Sequence, residues 1–422
     1  MNRRDMFKIL GASAVGLSTS SLFGESSASK IGKPFKIGFV SPQTGPLAIF
    51  SESDKFTIEQ VKKTVGKGIL IGDTIHPLEI LYKDSQSNSN RAAEVASQLI
   101  LDDKVDLMLA NSTPATTNPV ADQCELNGVP CITNDTPWQP HFFGRGGDPK
   151  EGFEWTYHFF WGLEDIIGSY TNLWEQTKTN KVVGALWPND SDGNAWADKK
   201  RGFPPVLKEK GFKLVDPGRI QLPANDFSSI IYEFKKQGVE IVTGVIPPPD
   251  FANFWTQAGQ QGFHPKIVTV AKATEFAAAI APFGKRADGL SVEVWWSPSH
   301  PFTSGLTNQT SAQLAEAYTK ATGKEWSMPL GLKHSLFEVA IDVLKRSKGP
   351  KNPESIRDAI ANTDYASIVG HINFKTGPVP NISKTPLVSG QWSVDGKNMN
   401  LSIVENSQAP AIKIQKKLKA LN

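Results

Sequence analysis

Short apolar runs alternate with amphipathic segments along most of this chain. The runs at 35–40, 78–82, 105–110 and 129–133 have the length of buried strands, and the helical spacing of apolar residues predicts a helix at 90–101. Strands that alternate with helices are typical of a parallel sheet that is covered on both faces. The first third of the chain therefore predicts an α/β unit.

The same alternation restarts after a turn-rich loop at 134–157, which is rich in proline and glycine. Beyond this loop, strands are predicted at 181–187, 212–215, 239–246 and 266–270, separated by helices at 164–177, 194–210, 226–237 and 250–260. The C-terminal part predicts an extended segment at 290–300, helices at 309–321 and 329–347, and a β-rich tail at 368–404. The predicted fold class is α/β with two lobes, each a parallel sheet sandwiched by helices.

Two such lobes joined by short segments form a cleft at the carboxyl ends of their strands. Ligands of open α/β sheets bind at this edge, where loops and helix N-termini converge. We expect the N-terminal lobe to comprise residues 34–157 plus 288–368, and the C-terminal lobe to comprise residues 158–287 plus 369–422.

Residues 1–29 predict an export signal. They combine the paired arginines Arg3 and Arg4 with a mildly apolar stretch at 9–23 and small residues up to Ser29. This arrangement is similar to a twin-arginine export signal, and a frayed amphipathic helix is the alternative. We therefore expect a periplasmic protein whose signal is removed.

The composition excludes several classes of protein. The chain has 45 Lys and Arg against 42 Asp and Glu, so its net charge of +3 gives no reason to expect nucleic acid as a partner. No apolar run approaches the roughly 18–20 residues that span a bilayer. The sequence contains no G-x-S-x-G, H-E-x-x-H or G-x-x-x-x-G-K-[ST] motif. We therefore expect no enzyme, no cofactor and no metal site.

The chain contains two cysteines, Cys124 and Cys131. In an oxidising periplasm the two thiols could form a disulfide, and two buried free thiols are the alternative. The sequence leaves this choice open because a disulfide depends on a Cα separation that sequence does not give.

Four segments in order resemble the type I periplasmic binding proteins, specifically the leucine/isoleucine/valine-binding family of ABC importers. They are KIGFVSPQTGPLAIF at 36–50, VDLMLANSTPATTNPVADQCELNGVPCITNDT at 105–136, KVVGALWPNDSDGNAW at 181–196 and NDFSSIIYEFKKQGVEIVTGVI at 225–246. The resemblance extends over about 35–405. It implies the two-lobed type I periplasmic-binding-protein fold with a ligand cleft between the lobes.

The resemblance also implies which loops bind the ligand in the N-terminal lobe. It places Ala115 and Thr116 on one loop and Asp135 and Thr136 on the next, where backbone N–H groups and hydroxyls suit a carboxylate. Capping of the following helix is the alternative role for Thr116.

Two aromatic residues and two hydroxyl residues are further candidates in this lobe. Phe50 matches the family's aromatic wall, with core packing as the alternative. Trp138 follows the second binding loop, where it could stack on a ring of the ligand or simply close the lobe. Ser112 and Thr113 are alternatives on the first of the two loops.

The C-terminal lobe departs from the amino-acid-binding pattern of the family. Pro247 stands where the family often has a tyrosine, and Lys272 stands where it has the carboxylate that binds the ligand's ammonium group. A lysine there opposes an ammonium group, unless it is a solvated surface residue. Asp192 or Asp135 could instead provide the partner for an amine.

The resemblance implies an extracytoplasmic solute-binding protein of an ABC importer. It would capture a small organic solute (an amino acid, an amide, or an aromatic or aliphatic carboxylate) and deliver it to a permease in the cytoplasmic membrane, acting as a monomer. The alternatives are a periplasmic ligand-sensing component for a receptor, and an exported enzyme that uses the same cleft.

Overall fold

A computed structural model gives the structure of residues 30–396 and 398–421. The expected export signal at 1–29 therefore lies outside the described residues. Within those residues, no helix combines the length and the apolar character that a membrane span requires.

The described residues contain eighteen strands. In chain order they are β1 (Lys30–Ile31), β2 (Phe35–Ser41), β3 (Ile69–Ile71), β4 (Thr74–His76), β5 (Leu78–Asp84), β6 (Leu107–Ala110), β7 (Cys131–Asn134), β8 (Thr156–Phe159), β9 (Val182–Leu186), β10 (Lys213–Val215), β11 (Ile241–Ile246), β12 (Ile267–Lys272), β13 (Ser291–Val294), β14 (Asp364–Ser367), β15 (Gly370–Asn373), β16 (Ile382–Ser383), β17 (Val388–Asp395) and β18 (Asn398–Glu405).

The same residues contain thirteen α-helices. They are α1 (Asp54–Val65), α2 (Ser89–Leu101), α3 (Pro114–Asn127), α4 (Trp138–Phe142), α5 (Leu163–Glu175), α6 (Ser191–Trp196), α7 (Phe203–Glu209), α8 (Ser228–Gln237), α9 (Pro248–Gln260), α10 (Ala277–Ile280), α11 (Ser311–Thr322), α12 (Met328–Arg346) and α13 (Pro353–Ala361).

Two large sheets form the centres of two lobes. A six-stranded parallel sheet has the order β16-β8-β7-β6-β2-β5, and α1–α4 and α11–α13 pack around it; we call this the N-terminal lobe. A seven-stranded sheet has the order β10-β9-β11-β12-β13-β17-β18, and α5–α10 belong to it; we call this the C-terminal lobe. Its first five strands are parallel, whereas β17 and β18 are antiparallel. The two-lobed α/β fold expected from the sequence is confirmed.

The expected lobe bounds place two short strands in one sheet, whereas the structure places them in the other. β13, within the segment 288–368, pairs with β12 and β17 of the C-terminal lobe. β16, within the segment 369–422, pairs with β8 of the N-terminal lobe. The chain therefore crosses between the sheets after β8, after β13 and after β16.

Two local predictions were wrong. The predicted loop at 134–157 contains α4 and the first residues of β8. The predicted helix at 194–210 is two helices, α6 and α7, and the break ends at Gly202. A Cβ atom at Gly202 would lie 2.3 Å from the carbonyl oxygen of Trp196, so the two helices approach each other too closely here for any side chain.

The two lobes are in contact in this structure. Helices α3 and α4 of the N-terminal lobe touch α6 of the C-terminal lobe. At one rim of the cleft the guanidinium carbon of Arg201 lies 3.9 Å from the ring centroid of Phe143, a cation–π contact between the lobes. The structure therefore describes a closed arrangement.

Candidate ligand-binding site

A cavity of about 30 Å³ lies between the lobes, enough for no more than a few water molecules. Both lobes contribute to its walls, and most of the lining residues follow the carboxyl ends of the parallel strands. The lining residues are Phe50, Ser112, Pro114, Asp135, Pro137, Phe160, Trp161, Asp192, Trp196, Val245, Ala271, Lys272, Glu275, Glu293 and Trp295.

Three of these residues have a left-handed backbone directly at the ends of strands. The φ angle is 106° at Ser112, 65° at Asp135 and 64° at Lys272. Such φ values are uncommon for residues other than glycine, and they turn the chain sharply after each strand. The turns direct the loops after β6, β7 and β12 towards the cavity.

A buried histidine fixes the loop after β7. The Nε2–H of His158 donates to the carbonyl oxygen of Thr136 over 2.7 Å, and Nδ1 of His158 lies 2.8 Å from Oγ1 of Thr133. Burial lowers the pKa of His158 to about 3, so the ring stays neutral with one donor and one acceptor. The histidine thus positions the backbone beside Asp135.

A buried lysine partners Asp135 from the N-terminal lobe. Nζ of Lys333, on α12, lies 3.5 Å from Oδ2 of Asp135 and 3.9 Å from Oδ1 of Asp54. Oδ2 of Asp54 accepts a hydrogen bond of 2.7 Å from the hydroxyl of Tyr82. All of these charged side chains are at least nine-tenths buried.

Asp135 has two carboxylates near it and one lysine. Burial raises its pKa to about 7; Lys333 counteracts the rise, and Glu275 adds to it from the opposite lobe. Asp135 therefore titrates close to neutral pH, and Lys333, 3.5 Å from its Oδ2, is its cationic partner.

In the C-terminal lobe, Lys272 forms an ion pair with an aspartate. Its Nζ lies 2.5 Å from Oδ2 of Asp192 and 3.9 Å from Oδ2 of Asp190. Burial alone would lower the pKa of Lys272, but Asp192 and Asp190 raise it above its usual value. Lys272 is therefore charged and already neutralised by the protein's own carboxylates.

Two buried glutamates face each other beside this ion pair. The backbone N–H of Lys272 donates to Oε1 of Glu275 over 2.7 Å, and the hydroxyl of Tyr170 donates to Oε2 of Glu293. Burial and the charge of Glu293 raise the pKa of Glu275 well above its usual value, and burial raises that of Glu293 to about 7. The raised pKa therefore favours the protonated form of Glu275 at neutral pH.

Aromatic rings form much of the remaining wall. Phe50 and Trp161 line the cavity, as do Trp196 and Trp295. The indole N–H groups of the three tryptophans have no hydrogen-bond partner among the described residues. Buried tryptophan N–H groups normally find an acceptor, so these three residues bring unsatisfied donors to the cavity wall.

The structure brings four of the candidate residues together and leaves five outside the cavity wall. Those in the wall are Phe50, Asp135, Asp192 and Lys272, together with the alternative Ser112. Those that do not line the cavity are Ala115, Thr116, Thr136, Trp138 and Pro247. Whether any of these nine residues binds a ligand remains a prediction.

Trp138 packs at the crossover between the lobes rather than facing the cavity. Its indole N–H donates to Oε1 of Glu164 over 3.1 Å, and a Cβ atom at Gly162 would lie 2.2 Å from this nitrogen. Lys384, on the third crossover, lies 2.7 Å from the same Glu164 oxygen. Trp138 therefore joins two of the segments that connect the lobes.

The sequence analysis missed the buried charges that surround the cavity. Glu293 interrupts an apolar strand in LSVEVWW, and Lys333 interrupts an apolar stretch of α12 in LGLKHSLF. Charged residues are almost never fully buried unless they are paired, so each interruption was a signal of a polar partner. Glu275 has a weaker signal, because it simply follows a strand.

Cys124 and Cys131 are free, buried thiols in this structure. Burial, and then the neighbouring thiol of Cys131, raise the pKa of Cys124 well above its usual value. They pack in the core of the N-terminal lobe and do not line the cavity. Among the described residues, no group of three or more His, Cys, Asp or Glu side chains could hold a metal ion.

Several solved structures share this fold. A leucine-binding protein from Thermotoga maritima is 19% identical with a TM-score of 0.71, covering 88% of this chain and 99% of its own. A solute-binding protein of an ABC transporter from Rhodopseudomonas palustris, in complex with 3,4-dihydroxybenzoic acid, is also 19% identical with a TM-score of 0.71, covering 90% of this chain and 98% of its own. A branched-chain amino acid transporter substrate-binding protein from Streptococcus pneumoniae, in complex with isoleucine, is 16% identical with a TM-score of 0.67, covering 88% and 99%.

A family model described as periplasmic binding protein matches residues 34–385, which is most of the chain. The match includes all of the elements that line the cavity. The two lobes, the cleft at the strand ends and this match agree: the chain belongs to the periplasmic binding protein family.

Proposed function

We propose that this protein is the extracytoplasmic solute-binding component of an ABC importer. It captures one small organic solute between its lobes and delivers it to a permease in the cytoplasmic membrane. It reaches the periplasm through the export signal at 1–29 and acts as a monomer, because the permease must contact both lobes.

The cavity between the lobes is the observation that carries this proposal. Its wall combines aromatic rings with charged side chains that are at least nine-tenths buried, from both lobes. Buried polar atoms without partners are costly unless a ligand satisfies them. Here the indole donors of the tryptophans and one acceptor, Oδ1 of Asp192, lack partners among the described residues.

The closed cavity of about 30 Å³ is too small for an amino acid. The solute therefore enters when the lobes separate by bending at the three crossovers, and Phe50 and Trp295 move aside as it binds. A solute that contacts both lobes favours the closed form, because it gains contacts there that the open form lacks.

The solute belongs to the amino acids, amides, or aromatic and aliphatic carboxylates. The related solved structures support this range, since one of them contains isoleucine and another 3,4-dihydroxybenzoic acid. We also propose that the protein belongs to the leucine/isoleucine/valine-binding family. Lys272 gives little support for a carboxylate solute, because Asp192 already neutralises the charge of this lysine.

A melting-temperature screen tests the proposal. Residues 30–422 are unfolded and refolded to remove any bound solute, then heated with single amino acids, amides, amines and organic acids. We expect one chemical group of solutes to raise the melting temperature, since a ligand that binds only the folded state stabilises it. If no soluble metabolite raises the melting temperature, the proposal is wrong.

The recovered solute separates binding from catalysis. After prolonged incubation with the protein, mass spectrometry should find the stabilising solute chemically unchanged. Turnover of that solute would contradict the proposal and favour an exported enzyme.

A further inference from the structure

We infer that a basic strip on the C-terminal lobe docks on the anionic surface of a phospholipid bilayer. The strip is the segment 412–421, which carries Lys413, Lys416, Lys417 and Lys419. None of its residues lines the cavity between the lobes. The inference therefore goes beyond the proposed function, because the lipid contact does not depend on a solute.

The strip concentrates the positive charge of the chain. Of the 45 Lys and Arg residues, three lie in 1–29 and four in the strip, which leaves 38 in residues 30–412. Of the 42 Asp and Glu residues, two lie in 1–29 and none in the strip, which leaves 40 in residues 30–412. The protein is thus slightly acidic elsewhere and strongly basic along this segment.

The four lysine side chains are exposed, and none of them forms an ion pair among the described residues. Nζ of Lys416 donates to Oγ of Ser393 over 3.1 Å, and a hydroxyl group does not neutralise the charge. The neighbouring Lys266, in contrast, is paired with Glu240 at 2.9 Å. Seven residues span at most about 25 Å of chain, so the four charges act together on an approaching surface.

The backbone of the strip is fixed to the sheet of the C-terminal lobe. The N–H of Gln415 donates to the carbonyl oxygen of Ile403 in β18 over 2.8 Å, and the N–H of Lys419 donates to Oε1 of Gln391 in β17 over 3.0 Å. Three apolar side chains of the strip pack against the core: Ile412, Leu418 and Leu421. Because the backbone is already ordered, binding to a surface does not have to order it.

The strip lies away from the cavity. The N–H of Leu421 donates over 2.8 Å to the carbonyl oxygen of Lys266, the residue before β12. Lys272, at the other end of β12, lines the cavity. Six residues of a strand separate these two ends by about 20 Å. A membrane contact at the strip therefore leaves the cavity wall untouched.

Two features favour lipid over an acidic protein as the partner. All four cations are lysines, which present hydrated point charges to a diffuse anionic surface, whereas arginine is preferred where single carboxylates or phosphates are bound in a bidentate way. Ile414, inside the strip, is 54% exposed. An apolar side chain can enter the boundary between headgroups and acyl chains while the lysines stay in water. The partner is therefore a bilayer with anionic headgroups, such as those of phosphatidylglycerol.

Such a contact is weak and reversible. Each lysine close to an anionic surface strengthens binding by about fivefold, and a single apolar side chain does not anchor a protein permanently. The protein therefore exchanges between the membrane and the periplasm, and it can capture solute in either place. The contact raises its concentration near the membrane in which the proposed permease lies.

Co-sedimentation with lipid vesicles tests this inference. Residues 30–422 are used, because the apolar stretch at 9–23 would itself bind lipid. At low salt we expect binding to vesicles that contain phosphatidylcholine and phosphatidylglycerol in equal amounts, and no binding to phosphatidylcholine alone. In about 1 M NaCl, where the screening length falls to about 3 Å, the protein should be released.

Two triple variants that remove the same charge distinguish the strip from the rest of the surface. The strip variant is Lys413→Gln, Lys417→Gln and Lys419→Gln together. The control variant is Lys55→Gln, Lys63→Gln and Lys320→Gln together, three exposed lysines of the N-terminal lobe. The strip variant should bind anionic vesicles about tenfold to a hundredfold more weakly, whereas the control should stay within about twofold of the wild type. Both should keep the melting temperature of the wild type, because all six side chains are exposed.

The outcomes separate lipid from other partners. Equal binding to neutral and anionic vesicles, no binding to either, or equal losses in the two variants would overturn the inference. Binding to poly-glutamate without binding to anionic vesicles would show that the strip takes acidic protein segments, and the inference would again be wrong. None of these results bears on the proposed function, which the solute screen decides.

Discussion

Phe50 of the N-terminal lobe and Phe276 of the C-terminal lobe meet edge to face across the rim of the cleft, with ring centroids 4.9 Å apart. Leu47 completes a small apolar cluster with these two rings, and all three side chains are buried. Phe50 also lines the cavity, whereas Phe276 does not. The pair therefore connects closure of the lobes to the wall of the site.

Phe276→Ala should weaken solute binding although its side chain does not line the cavity. An edge-to-face aromatic pair contributes about 0.5–1.5 kcal/mol beyond its buried area, and this contact exists only when the lobes are closed. We expect the affinity measured by calorimetry to fall by about two- to tenfold. Phe283→Ala, which removes a ring from the same lobe away from the cleft, is the matched control. Equal effects of the two substitutions would contradict a role of Phe276 in closure.

Asp192→Ala should destabilise the free protein strongly. It leaves Lys272 buried with only Asp190 at 3.9 Å, and removing one partner of a buried ion pair typically lowers the free energy of unfolding by about 3–5 kcal/mol. The free energy of unfolding is measured with urea. The double variant Asp192→Leu with Lys272→Met removes both charges and should regain most of the loss. A loss below about 1 kcal/mol in Asp192→Ala would show that Lys272 is solvated.

Glu293→Gln should change how stability depends on pH. The pKa of Glu293 is raised to about 7 in the folded protein, so the folded state holds a proton that the unfolded state loses above about pH 4.5. The raised pKa therefore makes the wild type lose stability as pH rises from about 5 to 8. Glutamine does not ionise. Between pH 5 and pH 8, the free energy of unfolding of the variant should therefore gain on the order of 2–3 kcal/mol relative to that of the wild type.

Chemical unfolding at pH 5 and pH 8 measures this difference. The wild type and Glu293→Gln should differ least at pH 5 and most at pH 8. The buried His141 and His158, whose pKa values are lowered, affect both proteins equally and cancel in the comparison. A difference that is constant across the two pH values would mean that Glu293 does not titrate in this range.

Cys124 and Cys131 should react slowly with a thiol reagent in the folded protein. Both are fully buried, and the pKa of Cys124 is raised, so little thiolate is exposed to the reagent. Addition of denaturant without a reducing agent should release two reactive thiols. Protein from the periplasm that yields no thiol on unfolding would instead contain the disulfide that the sequence left open.

The alternation of apolar runs and helices predicted the fold because the pattern of each strand and helix lies within its own short segment of sequence. Residues 35–40 and 129–133, for example, are largely buried strands of one parallel sheet. The assignment of β13 and β16 to their sheets is different, because it depends on where the chain crosses between the lobes. β16 has only two residues, too few for a periodic pattern. The break between α6 and α7 has a local signal that the sequence analysis missed, since Gly202 is followed by Pro204 and Pro205 in the first turn of α7.

The candidate site was predictable where it follows the ends of strands. Asp135 and Lys272 directly end apolar strands, and both line the cavity. The pairing of Lys272 with Asp192 was not predictable, because the two residues are eighty positions apart and meet only in the folded lobe. Lys333 lies on α12 and Glu293 lies on β13. The apolar pattern of both elements predicts that they belong to the core, so it does not predict charged side chains near the cavity. Glu293 adds to the carboxyl groups of the cleft, and Lys333 partly neutralises them.

Small-angle X-ray scattering tests most directly whether the two lobes close on a solute. Residues 30–422, refolded without solute, should scatter as a more open particle than the closed structure, since no solute then contacts both lobes. Saturation with the stabilising solute should reduce the radius of gyration to the value calculated from this structure. A solute-free protein that already matches the closed structure, and that no solute changes, would contradict the account.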